Sequence, residues 1–459
     1  MMENLLYYGD NLKILNNIDD KSMDLIYLDP PFNSNKNYNQ IFIANKKPSD
    51  AQIKVFEDTW SWDNDVEKLY LETVKYCKNN KVSEFLISMR QLLGNSAMMA
   101  YLTMMAPRLL QMHRVLKNTG TLFLHCDPSA SHYLKLILDA VFGYTNFRNE
   151  IVWCYRQGGR GKRTFAKKHD TILFYSKGTK YAFNSDSVRI PYNGTGGYVS
   201  NNNGNVVNGK RYKPNPLGKI PEDWWDIPAL TPTSHERVGY PTQKPQALLE
   251  RIILSVTDPG DTILDPFCGC GTAIVAAEKL NRHWIGIDVT HIAITTIKKR
   301  LEKTFPNLSP YKVKGEPIDY AGAAELAQND RYQFQIWALS LLGVNSGMKK
   351  GADGGIDGIH YFESTIPGKL EKCIVQVKSG KVSVKDIREL NSVVAREKAT
   401  LGILLTLLQP TKNMIAEASS FGFYKASDDQ EFPVIQIVKI EELLRYEKFL
   451  FTLIPQSKY

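Results

Sequence analysis

The feature that most constrains the fold is a glycine-rich turn between two apolar runs in the second half of the chain. Thr262 to Asp265 predicts a strand, Thr272 to Leu280 predicts a helix, and His283 to Asp288 predicts a second strand. A strand, turn, helix and strand in this order form the unit from which parallel α/β sheets are built. We therefore predict an α/β fold with a Rossmann-like sheet.

The turn of this unit reads DPFCGCGT, from Asp265 to Thr272. Glycines let backbone N–H groups approach a ligand, and the N-terminus of the next helix favours negative charge, so the loop suits a carboxylate or a phosphate. Asp288 ends the following strand, where an acid accepts hydrogen bonds from ribose hydroxyls in Rossmann-type sites. The alternative is a purely structural turn and acid. The loop lacks Gly-x-Gly-x-x-Gly, which disfavours a dinucleotide and an NAD-dependent oxidoreductase.

A second motif, Asp29-Pro30-Pro31-Phe32, follows an apolar run at residues 24–28 that predicts a buried strand. A base amino group is a poor nucleophile because its lone pair is delocalised, so a site that methylates it needs acceptors for its hydrogens and a ring that holds the base. Asp29 and the Pro30 carbonyl are the candidate acceptors, and Phe32 is the candidate stacking ring. Such a transfer needs no nucleophilic cysteine. The alternative is an ordinary loop entry after a strand. We expect the Asn-rich stretch that follows the motif to be a loop.

Bulk properties narrow the class of protein. The 459 residues predict two or three domains. No apolar run approaches the roughly 18 residues of a membrane span, and the start of the chain lacks a signal-peptide pattern, so we expect a cytoplasmic protein. The six cysteines include no Cys-x-x-Cys pair, so neither a disulfide framework nor a zinc site is indicated. The net charge of +9 favours a polyanionic partner such as nucleic acid.

A basic segment begins at Arg156, and residues 193–209 are rich in Asn and Gly, which predicts a loop. We expect residues of about 156–235 to be a target-recognition insertion. The candidates for contact with phosphate or guanine are Arg156, Arg160, Lys162 and Arg163. For each of them, a solvated basic loop is the alternative.

The two motifs, in this order, resemble those of the β-group site-specific DNA amino-methyltransferases, over residues of about 1–310. Supporting pieces are Leu124-His125-Cys126-Asp127, residues 149–153 and Thr242-Gln243-Lys244-Pro245. The resemblance implies a sheet of the S-adenosylmethionine-dependent methyltransferase type, with Asp29 to Phe32 around a flipped base. It also implies that the cofactor is bound by Asp265, Phe267, Gly269, Gly271, Thr272 and Asp288, with Thr242 and Lys244 near its methionine end.

The same resemblance implies the reaction and the partners. Aspartate at the first motif position leans towards N6 of adenine in double-stranded DNA, and N4 of cytosine is the alternative. A restriction-modification system is the expected setting, and an orphan or mobile-element methyltransferase is the alternative. A restriction subunit or a second copy of the chain is a further candidate partner. A DNA-binding module without catalysis is the competing class, and failure to bind S-adenosylmethionine would favour it.

Residues 320–459 predict a second, smaller α/β domain. Asp357 lies in a Gly/Asp-rich turn, and Gln376-Val377-Lys378 lies on a predicted strand. This pattern resembles the Mrr-like restriction endonucleases of the PD-(D/E)XK type. It implies Mg²⁺, with Asp357 as metal ligand and with Gln376 and Lys378 at the other nuclease positions.

Two departures from that pattern leave cleavage open. Gln376 replaces the second acid, and the preceding helix offers Gln333 and Gln335 where some nucleases of this type place a glutamate. The alternatives are a domain of the same fold that only binds DNA or a partner, and an unrelated α/β domain.

Overall fold

The computed structural model describes residues 3–31, 36–44, 47–58, 61–155, 163, 165–192, 205–207, 210–212, 215–346, 355–363, 370–425 and 430–445. In chain order, the first elements are β1 (Asn4–Tyr8), α1 (Asn11–Leu15), β2 (Met23–Leu28), β3 (Lys36–Ala44), β4 (Lys47–Asp58), α2 (Asn64–Tyr76), α3 (Asn80–Leu93), α4 (Ala97–Val115), β5 (Leu116–Cys126), α5 (Pro128–Phe142), β6 (Phe147–Cys154) and β7 (His169–Ser176).

The chain then forms short strands followed by the unit predicted from the sequence. These elements are β8 (Asn205–Val207), β9 (Lys210–Tyr212), β10 (Trp224–Asp226), α6 (Gln246–Val256), β11 (Thr262–Asp265), α7 (Thr272–Lys279), β12 (His283–Asp288), α8 (His291–Thr304) and β13 (Tyr311–Lys314). The strand, turn, helix and strand predicted from residue 262 onward are confirmed.

One large sheet organises this part of the molecule. Among the described strands its order is β10-β6-β7-β5-β2-β11-β12-β1-β13. β7 is antiparallel to both β5 and β6, whereas the pairs from β5 to β13 are parallel. Helices α4 and α5 cover one face and α6, α7 and α8 cover the other, each with its own apolar core. The carboxyl ends of β1, β2, β11 and β12 therefore meet at one edge, where ligands bind in such sheets.

The Asn-rich stretch after the second motif was expected to be a loop, and this expectation is wrong. β3 and β4 pair antiparallel there. The sequence of β3 contains Tyr38, Ile41, Phe42 and Ile43, which favour strands, and the neighbouring asparagines mask that preference. The loop expected at residues 193–209 contains the short strand β8, and residues 193–204 lie outside the described part of the chain.

The C-terminal part forms a second, smaller α/β sheet, as predicted. Its elements are α9 (Tyr320–Asn329), α10 (Arg331–Leu341), β14 (Asn345–Ser346), β15 (Gly358–Glu363), β16 (Leu370–Lys378), α11 (Val384–Arg396), β17 (Leu401–Thr406), α12 (Lys412–Ser419), β18 (Phe423–Lys425), β19 (Glu431–Pro433), β20 (Ile435–Lys439) and α13 (Ile440–Arg445). The described sheet has the order β14-β15-β16-β17-β20. Helix α10 packs on one face and α11 and α12 on the other.

Helix α10 also contacts the first region. Ile336 and Tyr332 share a small apolar cluster with Tyr240, Cys270 and residues 292–293. The two regions are therefore packed directly against each other. In the described part of the chain, none of the helices is both long and apolar enough to cross a membrane.

Candidate active site

A cavity of about 530 Å³ lies at the carboxyl ends of β1, β2, β11 and β12. Its wall is formed by the loops that follow these strands, together with residues 240–244. This volume lies within the range of small-molecule and cofactor sites, about 300 to 1,000 Å³. Both sequence motifs contribute to it, although they are more than two hundred residues apart in the chain.

The glycine-rich turn forms one side of the cavity. Gly269 and Gly271 have φ angles of +50° and +74°. A Cβ atom at Gly271 would lie 2.7 Å from Ile297 Cγ1, and one at Gly269 would lie 3.3 Å from Tyr240 Cε1. Both positions therefore need glycine for the backbone conformation, and Gly271 also needs it for space. Thr272 begins α7 directly after this turn and lines the same cavity.

Acidic groups at the ends of β11 and β12 fix the shape of this turn. Asp265 Oδ1 accepts from Phe267 N at 3.1 Å, and Asp288 Oδ2 accepts from Gly269 N at 2.9 Å. The other oxygen of Asp288 accepts from the backbone and the hydroxyl of Thr290. Burial raises the pKa of Asp265 well above its usual range and raises that of Asp288 to about 6.

Asp29 follows β2 on the opposite side of the cavity. Its Oδ2 lies 2.5 Å from Lys244 Nζ, and the two side chains are only 17% and 9% exposed. Its Oδ1 is buried and has no hydrogen-bond partner among the described residues. The carboxylate is therefore held through one oxygen while the other is left as an acceptor. Pro30 and Pro31 also line the cavity, and Phe32 lies outside the described residues.

The segment that supplies Lys244 has an unusual backbone. Thr242 lines the cavity and has a φ of +60°, a left-handed conformation that β-branched residues rarely adopt. Gln243 stabilises the turn, since its Oε1 accepts from Val238 N at 2.9 Å and its Nε2 donates to Glu236 O at 2.8 Å. Strained residues cluster at functional sites.

Three residues that the sequence did not indicate support the glycine-rich turn through hydrogen bonds. Asn11 Nδ2 donates to Pro266 O at 2.7 Å. Arg108 Nε donates to Asn11 Oδ1 at 2.6 Å, and its Nη2 donates to Asp10 Oδ2 at 2.8 Å. All three line the cavity. This network fixes the start of the glycine-rich turn relative to α1 and α4.

A second buried network stands behind Asp29. Tyr27, which lines the cavity, has its hydroxyl 3.1 Å from His125 Nδ1, and His125 Nε2 lies 3.1 Å from Asp170 Oδ2. Burial acts to raise the pKa of Asp170, but its hydrogen bond with His125 and nearby positive charges outweigh this and lower the pKa. An ionised Asp170 accepts from His125 Nε2 and so fixes the orientation of the imidazole ring beside Tyr27. The sequence indicated His125 only as part of a motif.

The DNA-contact predictions fall mostly outside the described residues. Arg156, Arg160 and Lys162 are not described, and Arg163 is exposed. These four residues stay a prediction.

The C-terminal motif residues come together where β15 and β16 pair. Asp357 Oδ2 accepts from Val377 N at 2.7 Å, and its Oδ1 accepts from Gln335 Nε2 at 2.7 Å. Lys378 Nζ lies 3.3 Å from Asp386 Oδ1, an acid on α11 that the sequence reasoning missed. Gln335 thus contacts the motif aspartate, whereas Gln333 accepts from His291 N, at the start of α8, at 3.1 Å.

The side-chain oxygen atoms of Asp357 and Gln376 are suitable ligands for a magnesium ion. Mg²⁺ is often held by one or two carboxylates, with water and phosphate at the remaining positions. Asp357 supplies one carboxylate, and Gln376 Oε1 is a buried acceptor without a partner among the described residues. The described part of the chain contains no cluster of three or more His, Cys, Asp or Glu that could hold a metal. Asp357 and Gln376 would therefore depend on water or DNA for the other ligands.

The chain matches two families of known proteins. Residues 23–299 match the family model described as DNA methylase, which covers more than half of the chain. The chain belongs to the DNA methylase family. Residues 328–445 of this DNA methylase match a second model, described as restriction endonuclease.

Two relatives are 27–28% identical to this DNA methylase over the matched residues. It is 28% identical over 323 residues to the type II methyltransferase M.BglII of Bacillus subtilis, covering 68% of this chain and 70% of that protein. It is 27% identical over 301 residues to the DNA adenine methyltransferase YhdJ of Escherichia coli (strain K12), covering 65% of this chain and 82% of that protein.

Solved structures that are similar to this chain include one of a DNA methyltransferase. The PvuII DNA methyltransferase, described as cytosine-N4-specific, has a TM-score of 0.42 and 16% identity, and the match covers 67% of this chain and 89% of that one.

The close approach of Ile297 to Gly271 allows a test of the glycine-rich turn. Gly260 has a φ of +89° and its added Cβ would meet no described atom within 4 Å, so Gly260→Ala measures the conformational cost alone, about 1 to 2 kcal/mol. Gly271→Ala adds the contact with Ile297, and we expect a further loss of about 1 to 3 kcal/mol. Chemical denaturation of both variants measures the difference. Equal losses would show that the turn has room for a side chain.

Proposed function

We propose that the chain transfers a methyl group from S-adenosylmethionine to N6 of adenine in double-stranded DNA. The observation that carries the proposal is the free oxygen of Asp29. A buried acceptor without a partner is unfavourable, so a site retains one where a ligand supplies the donor. Asp29 lines the same cavity as the glycine-rich turn, so a base amino group bound to its carboxylate would lie beside the cofactor.

The residues of the site divide the chemical tasks. Asp29 Oδ1 and the Pro30 carbonyl accept the amino hydrogens and so turn the nitrogen lone pair towards the cofactor. Lys244 holds Oδ2 and fixes the orientation of the carboxylate. S-adenosylmethionine supplies an electrophilic methyl group when it is bound. The new C–N bond forms as the S–C bond breaks, and Asp29 is positioned to take the proton that the nitrogen then loses.

We assign the residues after the strand ends to three parts of the cofactor. The acid at the end of β12, Asp288, accepts from the ribose hydroxyls, as in other Rossmann-type sites. Asp265, Phe267, Gly269, Gly271 and Thr272 form the turn around the centre of the ligand. Thr242 and Lys244 then lie towards its methionine end.

The choice of adenine is supported by the aspartate at position 29 and by the similarity to a DNA adenine methyltransferase. N4 of cytosine is the alternative, because the same two acceptors would serve its amino group. The similarity to a type II methyltransferase supports a role in restriction-modification. Recognition of the target sequence is assigned to residues of about 156–235.

Replacing the acceptor of Asp29 tests the mechanism. Asp29→Asn keeps the size of the side chain but removes the carboxylate, and we expect the rate of methyl transfer to fall by about 10²-fold or more. The affinity for S-adenosylmethionine should change little. Incorporation of labelled methyl groups into unmethylated DNA and calorimetric binding measure the two effects. Asp65→Asn, on the exposed side of α2, is the matched control. An Asp29→Asn enzyme with undiminished transfer would rule out this role.

The raised pKa of Asp288 predicts a pH dependence for cofactor binding. The carboxyl group is protonated below its pKa of about 6 and ionised above it, and only the ionised form is a full acceptor. Affinity for S-adenosylmethionine should therefore increase as the pH rises through 6, and be about tenfold weaker one unit below the pKa than well above it. Asp288→Asn should bind weakly and lose this pH dependence. A wild-type affinity that is constant between pH 5 and 7.5 would contradict the assignment.

A second candidate function is cleavage of DNA by the C-terminal domain. It is favoured by the meeting of Asp357, Gln376 and Lys378 at one end of β15 and β16, within the segment that matches a restriction endonuclease model. A magnesium ion held by Asp357 and Gln376 would activate water and balance the charge on the phosphate. Lys378 would contribute a positive charge beside the scissile phosphate.

Lys378→Ala tests this candidate. Unmethylated DNA incubated with the unmodified chain should be cut in Mg²⁺ and remain intact in a chelator. The Lys378→Ala variant should lose at least about 10²-fold in rate, since a charge that stabilises the transition state is removed. The exposed neighbour Lys381, replaced by alanine, is the matched control. DNA that stays intact with the unmodified chain in Mg²⁺ and in Mn²⁺ would leave binding as the role of this domain.

A further inference from the structure

We propose that the C-terminal domain forms part of the S-adenosylmethionine site, with Asp330 and Gln333 contacting the adenosine end of the cofactor. The inference rests on the proposed function. Both residues line the same cavity as the glycine-rich turn and Asp29. Both lie outside residues 23–299, which match the DNA methylase model, and inside residues 328–445, which match the restriction endonuclease model. The family resemblance therefore does not assign them.

Helix α10 is packed against the glycine-rich turn and the start of α8 by polar and apolar contacts. Gln333 Oε1 accepts from His291 N, at the start of α8, at 3.1 Å. Ile336, one turn further along, is 5% exposed and belongs to the apolar cluster that contains Tyr240 and Cys270. Since Cys270 lies within the turn itself, α10 and the turn share one packed surface.

The surroundings of Tyr8 show which end of the ligand α10 faces. The Tyr8 ring stacks on the His291 ring, with centroids 3.6 Å apart. Burial, together with the charges of Asp330, Glu316 and Asp288, raises the pKa of Tyr8. Asp330 lines the same cavity as Tyr8 and Asp288, at the strand ends of β1 and β12, where the ribose and the adenine ring are expected. The methionine end lies on the other side, near Lys244.

The hydrogen bonds of the two residues define what they can offer. Because the oxygen of Gln333 is engaged with His291, its Nε2 group is the part available to a ligand, as a donor to a ring nitrogen of adenine. Asp330 Oδ1 accepts from Tyr332 N at 2.9 Å and from Gln333 N at 3.0 Å, where it caps α10. Its Oδ2 is the acceptor for the adenine amino group or a ribose hydroxyl.

The same helix reaches the nuclease motif from its other side. Gln335 lies two residues after Gln333, which is a rotation of about 200° around the helix. Its Nε2 donates to Asp357 Oδ1 at 2.7 Å. Helix α10 thus lies between the cofactor cavity and the motif of the second domain.

Calorimetric binding of S-adenosylmethionine to full-length variants tests the inference. Gln333→Ala removes both polar groups of the side chain, whereas Gln333→Glu retains an acceptor for His291 N and loses the donor. We expect both variants to bind roughly three- to tenfold more weakly, the range for one hydrogen bond. Gln328→Ala and Gln328→Glu, at an exposed glutamine on α9, are the matched controls and should bind like the unmodified chain.

A second measurement does not depend on substitutions. Amide hydrogen exchange of residues 331–341 in the unmodified chain should slow when S-adenosylmethionine is added. If the unmodified chain binds the cofactor, but both Gln333 variants bind equally well and exchange in α10 is unchanged, this inference alone is overturned. If the unmodified chain binds no S-adenosylmethionine, the proposed function is overturned and the inference with it.

Discussion

The ion pair between Asp29 and Lys244 is the interaction on which the site depends. It joins the loop after β2 to the segment before α6, and both side chains are largely buried. The pair therefore locks two distant segments into one wall through Oδ2, while Oδ1 has no hydrogen-bond partner among the described residues.

The sheet places the remaining groups around this pair. Strands β1, β2, β11 and β12 are parallel neighbours, so the loops that follow them converge on one cavity. Asn11 and Arg108 brace the glycine-rich turn from one side, while Asp288 holds it from the other. The turn thus keeps its shape through contacts with α1, α4 and β12 as well as through its glycines. A site built in this way is preorganised for its ligand.

Local patterns in the sequence predicted the parts that are defined by neighbours in the chain. The run from Thr262 to Asp288 carries strand, turn and helix preferences that agree with one another, and the structure has these elements. Asp29 and Lys244 were indicated by motifs, but their ion pair was not, because it joins residues 215 positions apart. The roles of Asn11 and Arg108 were missed for the same reason. The strands β3 and β4 were missed because asparagines in β3 and charged or polar residues in β4 interrupt the apolar pattern.

The two contacts of α10 could not be predicted from the sequence either, because nothing in the sequence distinguishes Gln333 from Gln335. Only the packing of the helix separates them, because Gln333 contacts the start of α8 and Gln335 contacts Asp357. A chain that matches two families along its length is therefore more than two independent units joined end to end. The small apolar cluster around Ile336 and Cys270 connects them.

The most direct test of the central claim is the identity of the methylated base. Unmethylated genomic DNA is incubated with the protein and S-adenosylmethionine labelled in the methyl group, digested to nucleosides and separated by chromatography. We predict label in N6-methyladenine. Label in N4-methylcytosine would retain the site and its acceptors but overturn the choice of base, and DNA without label would contradict the assignment of Asp29 and the cavity to methyl transfer.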